Sequence, residues 1–134
     1  MSQSYSSGGK QFVSPIGNVI TERIGCGNNK TVTSSTPTSI WGDSIASSDY
    51  PGRVFTFQAY GSVTRAGLTG TVTLYNVTSS STVISLSFTS ITPGLQSASI
   101  SLTSTYTYEV RVSLTGFSSS PDALELSSST IVVR

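Results

Sequence analysis

"TYTYEVRVSLTG" (Thr105 to Gly116) alternates without a break: Tyr106, Tyr108, Val110, Val112 and Leu114 fall on one face, and Thr107, Glu109, Arg111 and Ser113 on the other. Successive side chains of a strand point to opposite sides of a sheet, so a period of two over this length predicts a strand with one buried face. The same period appears in "RVFTFQAYGSVT" (Arg53 to Thr64), where Phe55, Phe57 and Ala59 oppose Thr56, Gln58 and Tyr60. In "TGTVTLYNVTS" (Thr69 to Ser79), Val72 and Leu74 alternate with Thr71, Thr73 and Tyr75; in "TVISLSFTSI" (Thr82 to Ile91), Ile84, Leu86 and Phe88 alternate with Ser85, Ser87 and Thr89.

Turn residues separate these runs at Ala66-Gly67, Thr78 to Ser81, Pro93-Gly94, Gly116 and Pro121-Asp122, a spacing typical of antiparallel β-proteins. Further short strands are expected around Trp41 and in "LQSASISLTS", "DALELSS" and "TIVVR", which brings the count to about eight; no long segment carries a helical period. The fold class predicted is all-β, an antiparallel β-sandwich, since strands with one apolar face bury it by stacking two sheets. A jelly roll is favoured over an immunoglobulin-like sandwich, whose paired cysteines are missing. The order of the strands does not follow from these patterns.

The N-terminal part reads differently. The first dozen residues have no periodicity, "KTVTSSTPTS" (Lys30 to Ser39) is of low complexity, and between them one short strand is expected around Val19 to Ile24. The predicted organisation is therefore an extended arm over residues 1–36 and a sandwich domain over 37–134. "GCGNNK" (Gly25 to Lys30) lacks the glycine spacing of a phosphate-binding loop and reads as a flexible joint between the two.

Composition narrows the function. Seven basic and six acidic residues leave a net charge of +1, without the basic patch that nucleic-acid binding needs. Charged residues are 10% of the chain, whereas serine and threonine fill about 48 positions, so the surface is hydroxylated rather than ionic. Such a surface offers little mutual repulsion between copies and suits a subunit packed among others. No apolar run approaches the length of a membrane span, and "MSQSYSSGGK" has neither the basic start nor the apolar stretch of a signal peptide. The triplets Asn29-Lys30-Thr31 and Asn76-Val77-Thr78 match the glycosylation pattern and read as chance matches in a threonine-rich chain.

Catalysis is not expected. "SIWGDSIASSDYPGR" (Ser39 to Arg53) contains Gly-Asp-Ser, but the chain has no histidine to take a proton from Ser44. Ser44 reads instead as part of a turn after a short strand containing Trp41. Asp43 and Asp49 form the only local carboxylate pair in a loop, and they read as loop carboxylates rather than as a glycosidase pair or a calcium site. Cys26, the only cysteine, reads as a buried inert thiol. No metal, cofactor or catalytic residue is expected. Glu109 and Arg111, two apart on one face, read as a surface or inter-subunit ion pair. Trp41, Tyr50 and Tyr60 stand outside the core stripes and form the candidate glycan platform, with Gln58 and Asp49 as polar contacts; the favoured alternative is that Trp41 closes one end of the sandwich and the tyrosines pack with their hydroxyls at the rim.

The stretch "TVTLYNVTSSSTVISLSFTSITPGLQSASISLTSTYTYEVRVSL" (Thr71 to Leu114), in a charge-poor and histidine-free chain of this size, resembles in texture the jelly-roll domains of small accessory virion proteins of tailed bacteriophages. Those are the capsid cement or decoration proteins and the tail or fibre proteins. The resemblance is one of pattern and transfers no individual residue. It implies a capsid cement or decoration protein on the virion surface, assembled in the host cytoplasm, with itself (as a homotrimer) and the major capsid protein as partners. Phe12, Val13, Ile16, Val19 and Ile20 are the expected arm anchors on neighbouring subunits, with strand addition to a sheet edge as the expected mode. The alternative is a carbohydrate-binding or host-attachment module of a tail fibre or adhesin.

Overall fold

The structure, a computed structural model, describes residues 6–7, 10–11, 21–102, 105–116 and 122–134. Two short strands, β1 (Ser6–Ser7) and β2 (Lys10–Gln11), pair antiparallel with each other. Eight longer strands follow: β3 (Glu22–Val32), β4 (Thr38–Ala46), β5 (Phe55–Val63), β6 (Thr69–Asn76), β7 (Ser81–Phe88), β8 (Gly94–Ile100), β9 (Thr105–Thr115) and β10 (Leu124–Val133).

These eight strands form two antiparallel four-stranded sheets, in the orders β3-β10-β5-β8 and β4-β9-β6-β7. The pairings nest: first with last (β3 with β10), second with second-last (β4 with β9), then β5 with β8 and β6 with β7. The chain is thus one long hairpin, folded over so that successive pairs alternate between the two sheets. That is the jelly roll, and the architecture is the one the alternation predicts.

The core lies between the sheets. The inward stripe of β9 packs Tyr108, Val110, Val112 and Leu114 at no more than 2% exposure, opposite Phe57, Leu124 and Ile131 of the other sheet, which are fully buried. Each such side chain contributes roughly 1.5 to 3 kcal/mol through burial. Two glycines set how closely strands and sheets approach. A Cβ on Gly61 would sit 2.8 Å from the Glu125 carbonyl oxygen, and one on Gly70 would meet the Leu124 side chain at 2.6 Å.

Among the described residues the sandwich has eight strands, but their membership differs from the sequence reading. "DALELSS" and "TIVVR" are one strand, β10, kept continuous across a register shift between Leu126 and Ser128. The eighth strand is β3, which corrects the boundary at residue 36: residues 22–32 belong to the sandwich, not to an arm. Glu22, Cys26 and Val32 of β3 are buried. "GCGNNK" is likewise no joint. It holds a bulge against β10, between the pairs Gly25 with Thr130 and Asn28 with Ser128, and Gly27 there has φ +106°. Glycine is at home in that conformation. The bulge frees the Cys26 carbonyl, and the buried Ser129 hydroxyl donates to it at 2.7 Å, so the irregularity leaves no orphaned acceptor.

Candidate functional site

A groove of about 290 Å³ lies where the edge strands β3 and β4 leave the two sheets open to solvent. Arg23 and Gly25 line one wall, Asp43 and Ser44 the other, and Asp49 and Tyr50 close one end. The residues come from "SIWGDSIASSDYPGR" and from β3, of which the strand expected around Val19 to Ile24 covers only the start, so only part of the groove was legible beforehand. Ser44 lies within β4, not in a turn after it.

Local rules build the groove. Asp43 Oδ1 accepts a hydrogen bond from the Ser44 backbone N–H at 2.8 Å, and the Ser44 hydroxyl bonds that of Thr107 across the ladder at 3.2 Å. After β4 a single 3-10 turn, Ser47–Asp49, closes with the Tyr50 N–H donating to the Ser47 carbonyl at 3.0 Å. Gly52 at φ +70° then turns the chain into β5.

Tyr50 is 8% exposed, and its ring meets Phe55 edge-on with centroids 5.9 Å apart. Burial pushes its phenol pKa up, and the Glu22 and Asp49 carboxylates push it further, against the opposing pull of Arg53. Behind it Glu22 is 5% exposed, and among the described residues neither carboxylate oxygen has a hydrogen-bond partner. Burial raises the Glu22 carboxyl above its usual range, and the nearby Arg53 charge offsets only part of this. Arg53 itself donates to the Val133 carbonyl at 3.2 Å.

Cys26 is buried and free, its Sγ–H donating to the Ile24 carbonyl at 3.2 Å. Burial pushes its thiol up to about 12, with the Asp43 carboxylate adding to the rise and a backbone hydrogen bond from Ile131 opposing it. A thiol so held is not a nucleophile at neutral pH. Among the described residues no group of three or more His, Cys, Asp or Glu is placed to hold a metal. The groove offers two carboxylates, a guanidinium and hydroxyls, chemistry that suits a hydroxylated ligand.

The glycan platform does not form. Trp41 and Ile40 are both partly buried against the core, because a register shift between Ser39 and Trp41 turns these neighbours inward together. Tyr50 is buried, and Tyr60, at 40% exposure, stands on the outer face of the other sheet, paired with Leu95 and Ser128. Three aromatics in two sheets and a loop share no face, and Gln58 lies with Tyr60 rather than with Asp49. The arm anchors Phe12, Val13, Ile16, Val19 and Ile20 lie outside the described residues.

Of two charged constellations, one was legible in the sequence. Arg111 bonds Glu109 at 2.9 Å within one strand, as their spacing predicts, and its guanidinium also stacks 3.7 Å over the Tyr75 ring on β6. Arg65 holds Asp122 through two bonds of 3.0 and 2.6 Å, tying the loop after β5 to the segment entering β10. No local pattern announces this pair, because the partners are 57 residues apart.

No protein-family model matches the chain, and no curated protein matches it in sequence. Solved structures do share its fold. The VP2 protein of infectious bursal disease virus, in derived T=1 particles, is similar over 85% of this chain with a TM-score of 0.58 and 11% identity; the Gx strain of that virus gives 0.55 and 10%. The chain spans about a third of those viral chains, 31% of their length. The CBM36-1 domain of a multidomain xylanase from the hindgut metagenome of Trinervitermes trinervoides is similar with a TM-score of 0.51 and 9% identity, over 86% of this chain and 97% of that domain. At such identities these likenesses show the jelly-roll fold and nothing finer, and the virus among them is not a tailed bacteriophage.

Proposed function

We propose that this protein is a self-associating structural protein of a virus particle, a cement or decoration subunit that binds an assembled capsid shell. The observation that carries the reading is the jelly roll itself, shared over 85% of the chain with a viral VP2 protein. The hydroxylated, nearly uncharged surface supports it, because such a surface permits close packing among neighbours. The tailed-bacteriophage family and the homotrimer belong to this proposal as its finer terms, as does docking of residues 12–20 on a neighbouring subunit.

The role is proposed as non-enzymatic. The chain has no histidine and the hydroxyl bonded to that of Ser44 belongs to a threonine, so the serine-histidine pair of a hydrolase is not available there. Co-sedimentation with virus particles from the natural source of the sequence tests the reading. The intact protein is expected to pellet with particles and to raise their disruption temperature. A chain lacking residues 1–20 is expected to lose binding while keeping the sandwich. Failure of the intact protein to bind overturns the virion role.

A second reading rests on the likeness to the CBM36-1 domain of a multidomain xylanase, which covers nearly all of that domain, and on the polar groove; it makes the chain a carbohydrate-binding module. Under it, Asp49→Ala weakens retention on a polysaccharide column without unfolding the chain; retention by neither protein removes this reading.

A further inference from the structure

We propose that β8 is a self-pairing edge: β8 of one copy adds antiparallel to β8 of a second copy, joining two β3-β10-β5-β8 sheets across a two-fold axis. From the preceding reading this takes only the premise that copies of the chain associate.

The four sheet edges differ in how they are defended. An exposed edge strand is a template for another strand unless a bulge, a charge or a proline spoils it. On β3 there are a bulge, Arg23 and Lys30. A bulge and Asp43 mark β4, and β7 is interrupted by a shift opposite Leu74 and Tyr75. In contrast, β8 (GLQSASI) pairs with β5 through seven consecutive residues without a shift and contains no charge and no proline. Among the described residues it has a neighbour on one side only.

Apolar exposure gathers at the same place. Five large hydrophobic residues are exposed among those described: Val54, Tyr60, Val77, Ile91 and Leu95. Leu95 is on β8 at 57% exposure, Tyr60 is its cross-strand partner, and Ile91 lies in the loop leading into β8. Val54, 65% exposed, shares a cleft with Ser99, Ile100 and Leu102 at the other end of the strand. Only Val77 is elsewhere, in the turn after β6.

A second copy is the occupant that the charge pattern favours. A two-fold contact sets one patch against itself, residue i meeting residue j and j meeting i, so an edge carrying charge of one sign would meet like charge, which is unfavourable across a strand pair. The outer face beside β8 is neutral as well, carrying Thr56, Gln58 and Tyr60 of β5 against Ser99, Ser97 and Leu95. An axis near Ser97 sets Leu95 beside Ser99 of the second copy and draws both Leu95-Tyr60 pairs towards the seam. Any assembly containing this contact is even-numbered, so a three-fold assembly accommodates it only by doubling.

The test is the solution mass by light scattering of the intact protein and of a Leu95→Lys/Ser97→Lys variant. Both positions are exposed, and circular dichroism and thermal unfolding of the variant verify its fold. The expected result is an even-numbered wild-type assembly whose mass halves in the variant. Ser97→Cys, under mild oxidation, is expected to give a disulfide-linked pair, since Cys26 is buried. A monomeric or trimeric wild type, or a folded lysine variant of unchanged mass, overturns the proposal. A monomer that still pellets with particles removes the β8 contact and leaves the virion role; an even-numbered assembly that ignores particles does the reverse.

Discussion

Strands β9 and β3 are each eleven residues long, and they are built in opposite ways. Between β4 and β6 in the middle of its sheet, β9 alternates strictly, with four successive inward residues buried. At the edge of the other sheet, β3 carries a bulge, two residues with positive φ and a buried carboxylate. Strand β9 keeps its alternation unbroken against two neighbours and its inward positions stay apolar, whereas β10, also bonded on both sides, shifts register against each neighbour and buries the Ser129 hydroxyl. An edge strand answers to one neighbour and tolerates departures, which in turn open the groove beside β4.

The sharpest way to break this comparison is to truncate both strands. Leu114→Ala, at a fully buried site of β9, is expected to destabilise by about 2 to 5 kcal/mol. Ile24→Ala, at a partly buried site of β3, is expected to lose about 1 kcal/mol. Urea midpoints of the two variants measure the difference, and equal losses would show that edge and centre bear equal load.

Gly61→Ala comes next. Its Cβ would press on the backbone carbonyl of Glu125 rather than on a flexible side chain, and an overpacked contact of that kind costs about 1 to 3 kcal/mol. A thermal melt reads the loss. The same substitution at Gly25 of β3, where a Cβ meets nothing within 4 Å, is expected to leave the melting temperature nearly unchanged.

Glu22 reverses the sign. Burial raises its carboxyl above the usual range in the folded protein, so the native state holds this proton more tightly than the unfolded chain does. The resulting stabilisation is present at low pH and is lost as pH rises through the raised value. Glu22→Gln is therefore expected to stabilise by about 1 kcal/mol at pH 7, the low end of the cost of a buried unsatisfied polar group. The gain should vanish near pH 3, where the carboxyl is protonated in both states. A gain independent of pH would assign the effect to packing instead.

The smallest effect expected is at the surface of β9. Arg111→Gln removes the contact with the Tyr75 ring and the Glu109 pair, together worth about 0.5 to 1 kcal/mol on an exposed face. Added salt should shrink the difference between the two proteins.

How much was legible follows the regularity of each strand. Where alternation is unbroken, as in β5, β6 and β9 and from Ile84 to Phe88 in the edge strand β7, the inward residues could be named from the sequence alone, whereas the register shift in β10 made one central strand read as two. The bulges in β3 and β4 erased that signal: "ERIGCGNNKTV" shows no period, so its place in the sandwich and the Arg23 wall of the groove went unread. Trp41, Tyr50 and Tyr60 were recognised as unusual but not as separated, because their separation depends on which sheet each strand joins.

The all-β class, the two-sheet packing and the neutral hydroxylated surface were determined by the sequence itself, since alternation, turn residues and composition are local properties of the chain. The nesting of first strand with last, the groove between β3 and β4 and the undefended edge at β8 were decided only in the tertiary structure. Each depends on contacts between residues far apart in the chain, and a pattern read along one strand contains no information about which strand will lie beside it.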